Sequence, residues 1–519
     1  EKTDELSLIV ELITSLQAQF GGKPALRNSV EFVTYRYQYN GEKRPIDTHD
    51  YVKTERDASA IYIHDRFRGM IETYSKVRIQ SIEHFKQMFS DKALAPISKT
   101  ISEDPESADY LTLRRNYSAI ATNGTAILGF GDIGALAGMP VMEGKCVLFK
   151  ELGTVNMMPL CIKEKDADKF ITVMQKISPI FTSVNLEDIK APDCFKIEPA
   201  LKKSCRAVFF HDDQHGTAIV CTAALFNYCK VTGKKMADLN IIINGGGAAG
   251  ISICSLLLAA GAGHVIVCDT KGSIYKGRKE NMNEQKNWIA ENTNQKVVQG
   301  SLADVLKGAD VFIGVSAPKV LTKEMVKTMA EKSFVLALAN PVPEIYPEEA
   351  KEGGAYCTAT GRSDFVNQVN NSLAFPGLFK GVKIYRANAI TEEMKMASVR
   401  AIAELAEAEV TDEVAMAYPG HDLNFGPEYL IPKPFDPRLI VKIAPAVAQA
   451  AMDSGVATRP ITDWAAYRAK LSEFVYHTGV GMRAIFQAAR QAKGKRIIYA
   501  EGEDERVLRA VQVVIEEKF

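Results

Sequence analysis

The sequence predicts an α/β protein with a doubly wound parallel sheet as its largest part, preceded by a second α/β domain and flanked by smaller α/β pieces at both ends. Three observations predict it. At 519 residues the chain exceeds one hydrophobic core, and about 150 residues per domain implies several. From Leu239 onward, strand-like runs (NIIIN, HVIVCD, DVFIGVS, FVLALAN) alternate with stretches of helical length, the pattern of a parallel sheet joined by crossover helices. A glycine triplet, Gly245-x-Gly247-x-x-Gly250, lies between the first of those runs and an apolar helix, 248–260.

Taken in order, residues 5–19 (ELSLIVELITSLQAQ) carry apolar residues at helical spacing and stop at Gly21-Gly22. A β-rich stretch, Val30 to Tyr39, and a short strand, Ala58 to Ile63, complete a small α/β extension over 1–64. Residues 65–213 read as a substrate and metal domain, and 214–460 as a nucleotide-binding domain. The latter closes with an amphipathic helix near 390–410, a proline-punctuated turn at Pro432–Pro437 and a helix over 438–453. A linker at Gly455–Pro460 leads into a segment, 465–519, too short for a domain of its own. No internal repeat or low-complexity segment interrupts this order.

Charge narrows the function classes. Lys+Arg number 63 and Asp+Glu 63, so nothing draws the chain to nucleic acid or to a membrane surface, and a small-molecule substrate fits better. The nine cysteines form no CxxC pair, which indicates reduced thiols and a cytoplasmic protein. No apolar run reaches the roughly 18 residues of a membrane span. The opening Glu1-Lys2-Thr3-Asp4 is neither a signal peptide nor an initiator methionine, as in a fragment of a longer chain.

Two glycine motifs compete for a dinucleotide, and context chooses between them. The second follows a β-run and opens a helix, and the next β-run ends on Asp269. That is the Rossmann-type arrangement: backbone N–H groups of Gly247, Ala248 and Ala249 at a helix N-terminus for the pyrophosphate, and an acid for a ribose hydroxyl. Asp269 favours NAD, whereas Lys271 could meet the 2′-phosphate of NADP; the choice stays open, with NADP favoured. The first motif, Gly129-x-Gly131-x-x-Gly134, lacks the βαβ continuation and reads as a structural or substrate-side turn.

Paired acids occur twice, Glu187-Asp188 in NLEDIKAPDCF and Asp212-Asp213 in FFHDDQHGTA. Adjacent carboxylates among apolar residues are costly to bury unless a cation compensates them, and all-oxygen ligation suits Mg2+ or Mn2+. Two other readings stand beside this one: zinc on His211 and His215, although the glutamate of an HExxH pattern is missing, and helix capping by the aspartates. Lys145 in PVMEGKCVLFK would on its own pass for a surface lysine; near a metal and an aspartate it could serve as a base.

Read together, NGTAILGFGDIGALAGMPVMEGKCVLFK, VNLEDIKAPDCF, VFFHDDQHGTAIV, NGGGAAG, LALANPVPEI, TGRSDFVNQVNNSLAFP and FGPEYLIPKPFDPRL resemble the bacterial hybrid malic enzymes over most of the chain. The resemblance implies a malic enzyme N-terminal domain followed by a Rossmann-type NAD(P)-binding domain. It also implies oxidative decarboxylation of malate to pyruvate and CO2 with NADP or NAD and Mg2+ or Mn2+. It makes Glu187, Asp188 and Asp213 the metal ligands, Lys145 the base and Asp212 its partner. Asn340 and Asn371 become holders of the substrate carboxylate, Asn340 also meeting the cofactor.

At one position the sequence departs from the family. The proton donor there is a tyrosine in a segment like LAYSPGVAAP, and a gapless reading puts Phe89 of MFSDKALAP in its place. Matching TERDASAIY instead nominates Tyr62, across a long insertion. If Phe89 stands, either Lys145 or water supplies the proton, or the chain is an impaired binding or regulatory subunit. A metal-independent dehydrogenase and a phosphate acetyltransferase are further alternatives.

The flanks also resemble known parts. The first 60 or so residues are similar to ACT-type regulatory modules, or form a dimerisation arm. Residues from about 465 onward look like the opening of the phosphate acetyltransferase-like domain of the hybrid enzymes. That resemblance implies acetyl-CoA as an effector of the full domain and a homo-oligomer, a dimer or larger.

Overall fold

The computed structural model describes residues 81–127, 129–384, 387–418 and 420–475, with shorter stretches at 38–39, 42–43, 64, within 69–80 and between 502 and 511. It comprises two units, 1–80 and 81–519. In the first, Gln38–Tyr39 pairs antiparallel with Glu42–Lys43. The helix expected at 5–19, the strand expected at 58–63, Tyr62 and nearly all of 476–519 lie outside the described residues.

The second unit opens with α1 (Ile82–Phe89) and α2 (Asp91–Glu103), neither of which buries a residue. Four strands then form a parallel sheet: β1 (Tyr117–Thr122), β2 (Asn156–Cys161), β3 (Ser183–Leu186) and β4 (Val208–His211), in the order β2-β1-β3-β4. Each connection is a helix: α3 (Met139–Gly153) from β1 to β2, α4 (Ala167–Ile177) from β2 to β3, α5 (Asp193–Ser204) from β3 to β4. Pro140 in the first turn of α3 suits a position whose N–H has no intrahelical acceptor. With helices on both faces the strands are covered on both sides. Accordingly Ala119, Ile120 and Ala121 of β1 are all inaccessible to solvent.

From β4 the chain passes without a loop into α6 (Asp212–Thr232), 21 residues long and so about 32 Å at 1.5 Å per residue. Small and apolar residues surround its axis, and every residue from Ala218 to Leu225, more than two turns, is buried, because α6 lies between the two sheets. Gly233, at φ 74°, ends it in the left-handed conformation that glycine adopts without penalty. The boundary at 213/214 expected from sequence falls in the first turn of this helix.

The second sheet contains β5 (Asn240–Asn244), β6 (His264–Asp269), β7 (Gly272–Ser273), β8 (Val311–Gly314), β9 (Phe334–Ala337) and β10 (Cys357–Thr360). Its order is β10-β9-β8-β5-β6-β7, parallel except for the β6–β7 pair. The strand order reverses between β5 and β8, where α/β sheets open a crevice at their carboxyl ends. α7 (Ala248–Ala259) follows β5 and packs on α6, and α8 (Glu284–Asn292) follows β7. The expected helices appear as α10 (Glu392–Glu407) and α11 (Arg438–Asp453), with α9 (Phe375–Ile384) before them. One core cluster runs from Ile120 and Phe210 of the first sheet to Ile241 and Phe334 of the second.

Candidate active site

Strand register assembles the acidic cluster. β3 and β4 are parallel neighbours with Leu186 opposite His211, so the residues that follow, Glu187-Asp188 and Asp212-Asp213, emerge side by side. They do so beside the point where the order of the first sheet reverses, between β1 and β3. Carboxylate oxygens of Glu187, Asp188 and Asp213 lie within 4.8 Å of one another. Asp188 takes φ 52°, a left-handed conformation costing a non-glycine residue about 1–2 kcal/mol. Its N–H donates to Asp213 Oδ2 at 2.8 Å and its C=O accepts from Ala126 N–H at 3.0 Å, and these two bonds hold the strained geometry.

Lys145 reaches this cluster from α3. Its ammonium donates to Asp212 Oδ2 at 2.6 Å, lies 2.5 Å from Glu187 Oε2 and sits 4.8 Å from the centre of the Phe375 ring. Far from being a surface lysine, it is 7% exposed. Burial disfavours its charge, but Asp212, Glu187 and Asp213 outweigh that and hold the ammonium above its ordinary pKa. The four carboxylates are all pushed up, by burial first and then by one another. One ammonium cannot neutralise four buried anions.

A divalent cation fits this imbalance. Asp188 Oδ2 is buried without a hydrogen-bond partner, and the donor set is entirely oxygen, suited to Mg2+ or Mn2+. Zinc on the two histidines does not fit. His215 turns Nε2 to Glu198, at 3.0 and 2.9 Å to its two oxygens, and has Lys395 Nζ 3.4 Å from Nδ1. Asn371 hydrogen-bonds Asp212 and helps keep it charged. A Cβ on Gly216 would lie 2.0 Å from Asp212 Oδ1 and 3.1 Å from Asn371, so α6 must be bare one turn on from Asp212.

The glycine turn separates into three tasks. A Cβ on Gly250 would stand 1.8 Å from the Gly245 carbonyl oxygen, and one on Gly245, at φ 141°, would stand 2.6 Å from the Val315 carbonyl oxygen. A Cβ on Gly247, the N-cap of α7, would meet nothing within 4 Å. Two glycines therefore close the turn, and the third leaves the helix N-terminus open to an anion.

Asp269 ends β6 as expected, but its carboxylate is already engaged. Oδ1 accepts from Arg278 Nη2 at 2.7 Å and from Lys271 N–H at 2.9 Å; Oδ2 accepts from Lys286 Nζ at 2.7 Å and Asn281 Nδ2 at 3.0 Å. The Lys271 ammonium points elsewhere, pairing with Glu280 at 2.8 Å. Asn340 follows β9 and lies where a Cβ on Gly129 would come within 2.9 Å of its carbonyl oxygen and one on Gly361 within 3.0 Å of its Nδ2. The first glycine motif is thus a turn folded against Asn340, with Ile127 N–H bonded to Gly131 O at 2.9 Å. Phe89, at the end of α1, is 69% exposed and packs on Phe85, ring centres 5.7 Å apart.

Sequence reasoning missed several of these partners. Asn185 donates to Glu187 Oε2 at 2.8 Å, and strand alternation, which puts residues i and i+2 on one face, would have found it. Glu198 accepts from the His211 N–H at 3.2 Å and so braces the start of α6 from behind; no sequence signal links it to the cluster. The GRKEN run after β7 was the available signal for Arg278.

Fold and site together define a class: a two-sheet α/β protein of dehydrogenase build, with a dinucleotide-type glycine turn and a buried lysine among carboxylates. Residues 80–202 match the family described as malic enzyme, N-terminal domain, and residues 214–422 match malic enzyme, NAD binding domain. The chain belongs to the malic enzyme family. It is 54% identical over 420 residues to the NADP-dependent malic enzyme of Salmonella typhimurium, covering 80% of this chain and 54% of that protein. It is 47% identical over 398 residues to the bifunctional malic/malolactic enzyme of Bacillus subtilis, covering 77% and 93%. The crystal structure of the NAD-dependent malic enzyme from Thermotoga maritima superposes with a TM-score of 0.70 at 39% identity, covering 75% of this chain and 98% of that one. The chain spans about half the length of the Salmonella relative, 54%. Among the described residues no helix is long and apolar enough to cross a membrane.

Proposed function

We propose that this chain carries out the oxidative decarboxylation of malate to pyruvate and CO2, reducing NAD(P)+. The observation that carries the reading is the Lys145–Asp212 pair, 2.6 Å apart, beside three carboxylates whose oxygens lie within 4.8 Å. Glu187, Asp188 and Asp213 would hold Mg2+ or Mn2+, and the glycine turn would hold the dinucleotide. Bound there, the cation supplies Lewis-acid polarisation and the nicotinamide accepts a hydride.

The residues of the chain handle the protons. Lys145 can accept the malate hydroxyl proton only as a free amine, and Asp212, whose proton affinity burial raises, can take the ammonium proton across their hydrogen bond. The C2 hydrogen leaves as hydride. The C3–C4 bond then breaks, CO2 departs, and its electron pair leaves an enolate. C3 needs one proton, the same number that the hydroxyl released, so the Lys145–Asp212 pair can return it without a tyrosine. Asn371, held against Asp212, is placed to orient a substrate carboxylate.

L-Malate with Mn2+ should therefore yield pyruvate and reduced dinucleotide in equal amounts, with no turnover in EDTA. Absence of turnover in a chain that still binds Mn2+ and dinucleotide would favour the binding-subunit reading, with Phe89 in place of the tyrosine.

Charge around Asp269 favours NADP. Its carboxylate oxygens already accept four N–H groups, leaving little capacity for a ribose hydroxyl. Arg278 and Lys286 against one Asp269 leave a net positive charge where a 2′-phosphate would lie. Lys286→Gln should raise KM for NADP+ about 10-fold or more, the value of one charged hydrogen bond, with little change for NAD+. Equal effects on both cofactors, in parallel steady-state assays, would refute the assignment.

The resemblance of the segment after 465 to a phosphate acetyltransferase-like domain supports regulation by acetyl-CoA in a longer chain. A homo-oligomer and a cytoplasmic location belong to the same reading.

A further inference from the structure

Glu344 is fully buried, 0% exposed, and among the described residues no cation pairs with it. Backbone amides hold it instead. Ser316 N–H donates to Oε1 at 3.0 Å and Ala339 N–H to Oε2 at 3.0 Å. These amides belong to different segments, Ser316 to the turn after β8 and Ala339 to the turn after β9. A lone carboxylate is among the costliest groups to bury, and a purely structural clasp between two loops could be made with a neutral side chain.

What the clasp adjoins suggests its use. Ser316 Oγ accepts from Asn244 Nδ2, the last residue of β5, at 2.8 Å. Val315, one residue before Ser316, presents the carbonyl oxygen on which Gly245 of the glycine turn packs. Ala339 directly precedes Asn340. Gly314 must be bare because a Cβ there would lie 2.4 Å from Glu344 Cδ. A single carboxylate thus ties the ends of β8 and β9 together at the crevice where the strand order reverses, and through Ser316 it reaches β5.

We propose that Glu344 is a positioning residue for the dinucleotide: its carboxylate fixes the Val315–Ser316 wall of the glycine turn and, through Ala339, the backbone that presents Asn340 to the nicotinamide side. This rests on the dinucleotide reading of the glycine turn. Glu344→Gln keeps shape but turns an amide NH2 toward one of the backbone donors, leaving that buried donor unsatisfied. Gly314→Ala displaces the carboxylate from the other side without changing it.

The test uses the whole chain with Mn2+, titrated with NADPH and followed by the fluorescence of the reduced nicotinamide. Wild type should bind saturably; failure to bind either NADPH or NADH would overturn the reading of the glycine turn and the role of Glu344 with it. If wild type binds, Glu344→Gln and Gly314→Ala should each weaken NADPH about 10-fold or more and lower kcat, while Mn2+ affinity stays unchanged. Glu344→Asp, which keeps both acceptor oxygens, should recover part of the loss. Folded variants with wild-type NADPH affinity and kcat would refute the proposal. So would variants that lose thermal stability and Mn2+ affinity to the same degree as dinucleotide, since that is the signature of general loosening.

Discussion

Lys145→Met is expected to lower kcat by about 10²–10⁴-fold, the range for loss of a positioned acid–base group, while leaving Mn2+ and dinucleotide binding in place. Methionine matches the length of the lysine stem and keeps the contact with Phe375, 4.8 Å from the ammonium in the native chain. What disappears is the one proton carrier wedged between Asp212 and Glu187. Stopped-flow absorbance at the reduced nicotinamide band, with substrate and cofactor saturating, checks it. Retention of more than a tenth of the native rate would assign the proton transfer to some other group. A loss confined to KM would make Lys145 a binding residue only. Removing this cation also removes the only positive charge that, among the described residues, neutralises the cluster, so metal-free Lys145→Met should be the least stable form and should gain most from Mn2+.

Asp213→Asn is the second change with a large expected effect. Its remaining oxygen can still accept from Asp188 N–H, a 2.8 Å bond in the native chain, so the fold around the variant is preserved. One charged ligand is lost, and Mn2+ affinity should fall more than about 100-fold, beyond the 10–100-fold typical of outer partners. Isothermal titration with Mn2+ reads this directly; native affinity would remove Asp213 from the ligand set.

The same carboxylates make the pH dependence of the native chain specific. Their folded pKa values are raised by burial and mutual repulsion, so the stability they contribute without metal is fully present below the ordinary carboxylate range. It is lost as pH rises through the raised values. Glu198 is shifted the other way, held low by His215 and Lys202 despite its burial, and it contributes only above the ordinary range. The melting temperature of the metal-free chain should therefore fall from about pH 5 toward pH 8. Mn2+ should restore more at the higher pH, because its ligands must lose their protons to bind it.

Four strands of the second sheet, β5, β6, β8 and β9, were legible in the sequence because each is a nearly continuous apolar run, the mark of strands covered on both faces; β7 (Gly272–Ser273) and β10 (Cys357–Thr360) have no such run and went unread. Gly245, Gly247 and Gly250 could be read in the same way, since strand, turn and helix are contiguous. The acidic cluster could be suspected from its composition, but the opposition of Leu186 and His211 that creates it is a long-range register. Lys145 looked exposed for the same reason: its partners are 42 and 67 positions away, counting 187 − 145 and 212 − 145. At Asp269 the acid was visible and its saturation was not. Arg278 and Lys286 come from the following loop and helix, and only folding aims them back at β6, while the nearer Lys271 is drawn off by Glu280. Glu344 carried no signal in the sequence, because its partners are backbone amides.

The loop-free passage from β4 into α6 bears on how this molecule can be taken apart. A cut between residues 213 and 214 would sever the helix within its first turn, stranding Asp212 and Asp213 on one piece and their supporting shaft on the other. The exposed faces of both pieces would be the apolar surfaces that now enclose Ala218 to Leu225. Recombination, permutation or split-protein schemes that treat the two sheets as interchangeable cassettes would meet this helix as a shared axle, so for such purposes the inseparable unit is the sheet pair together with α6.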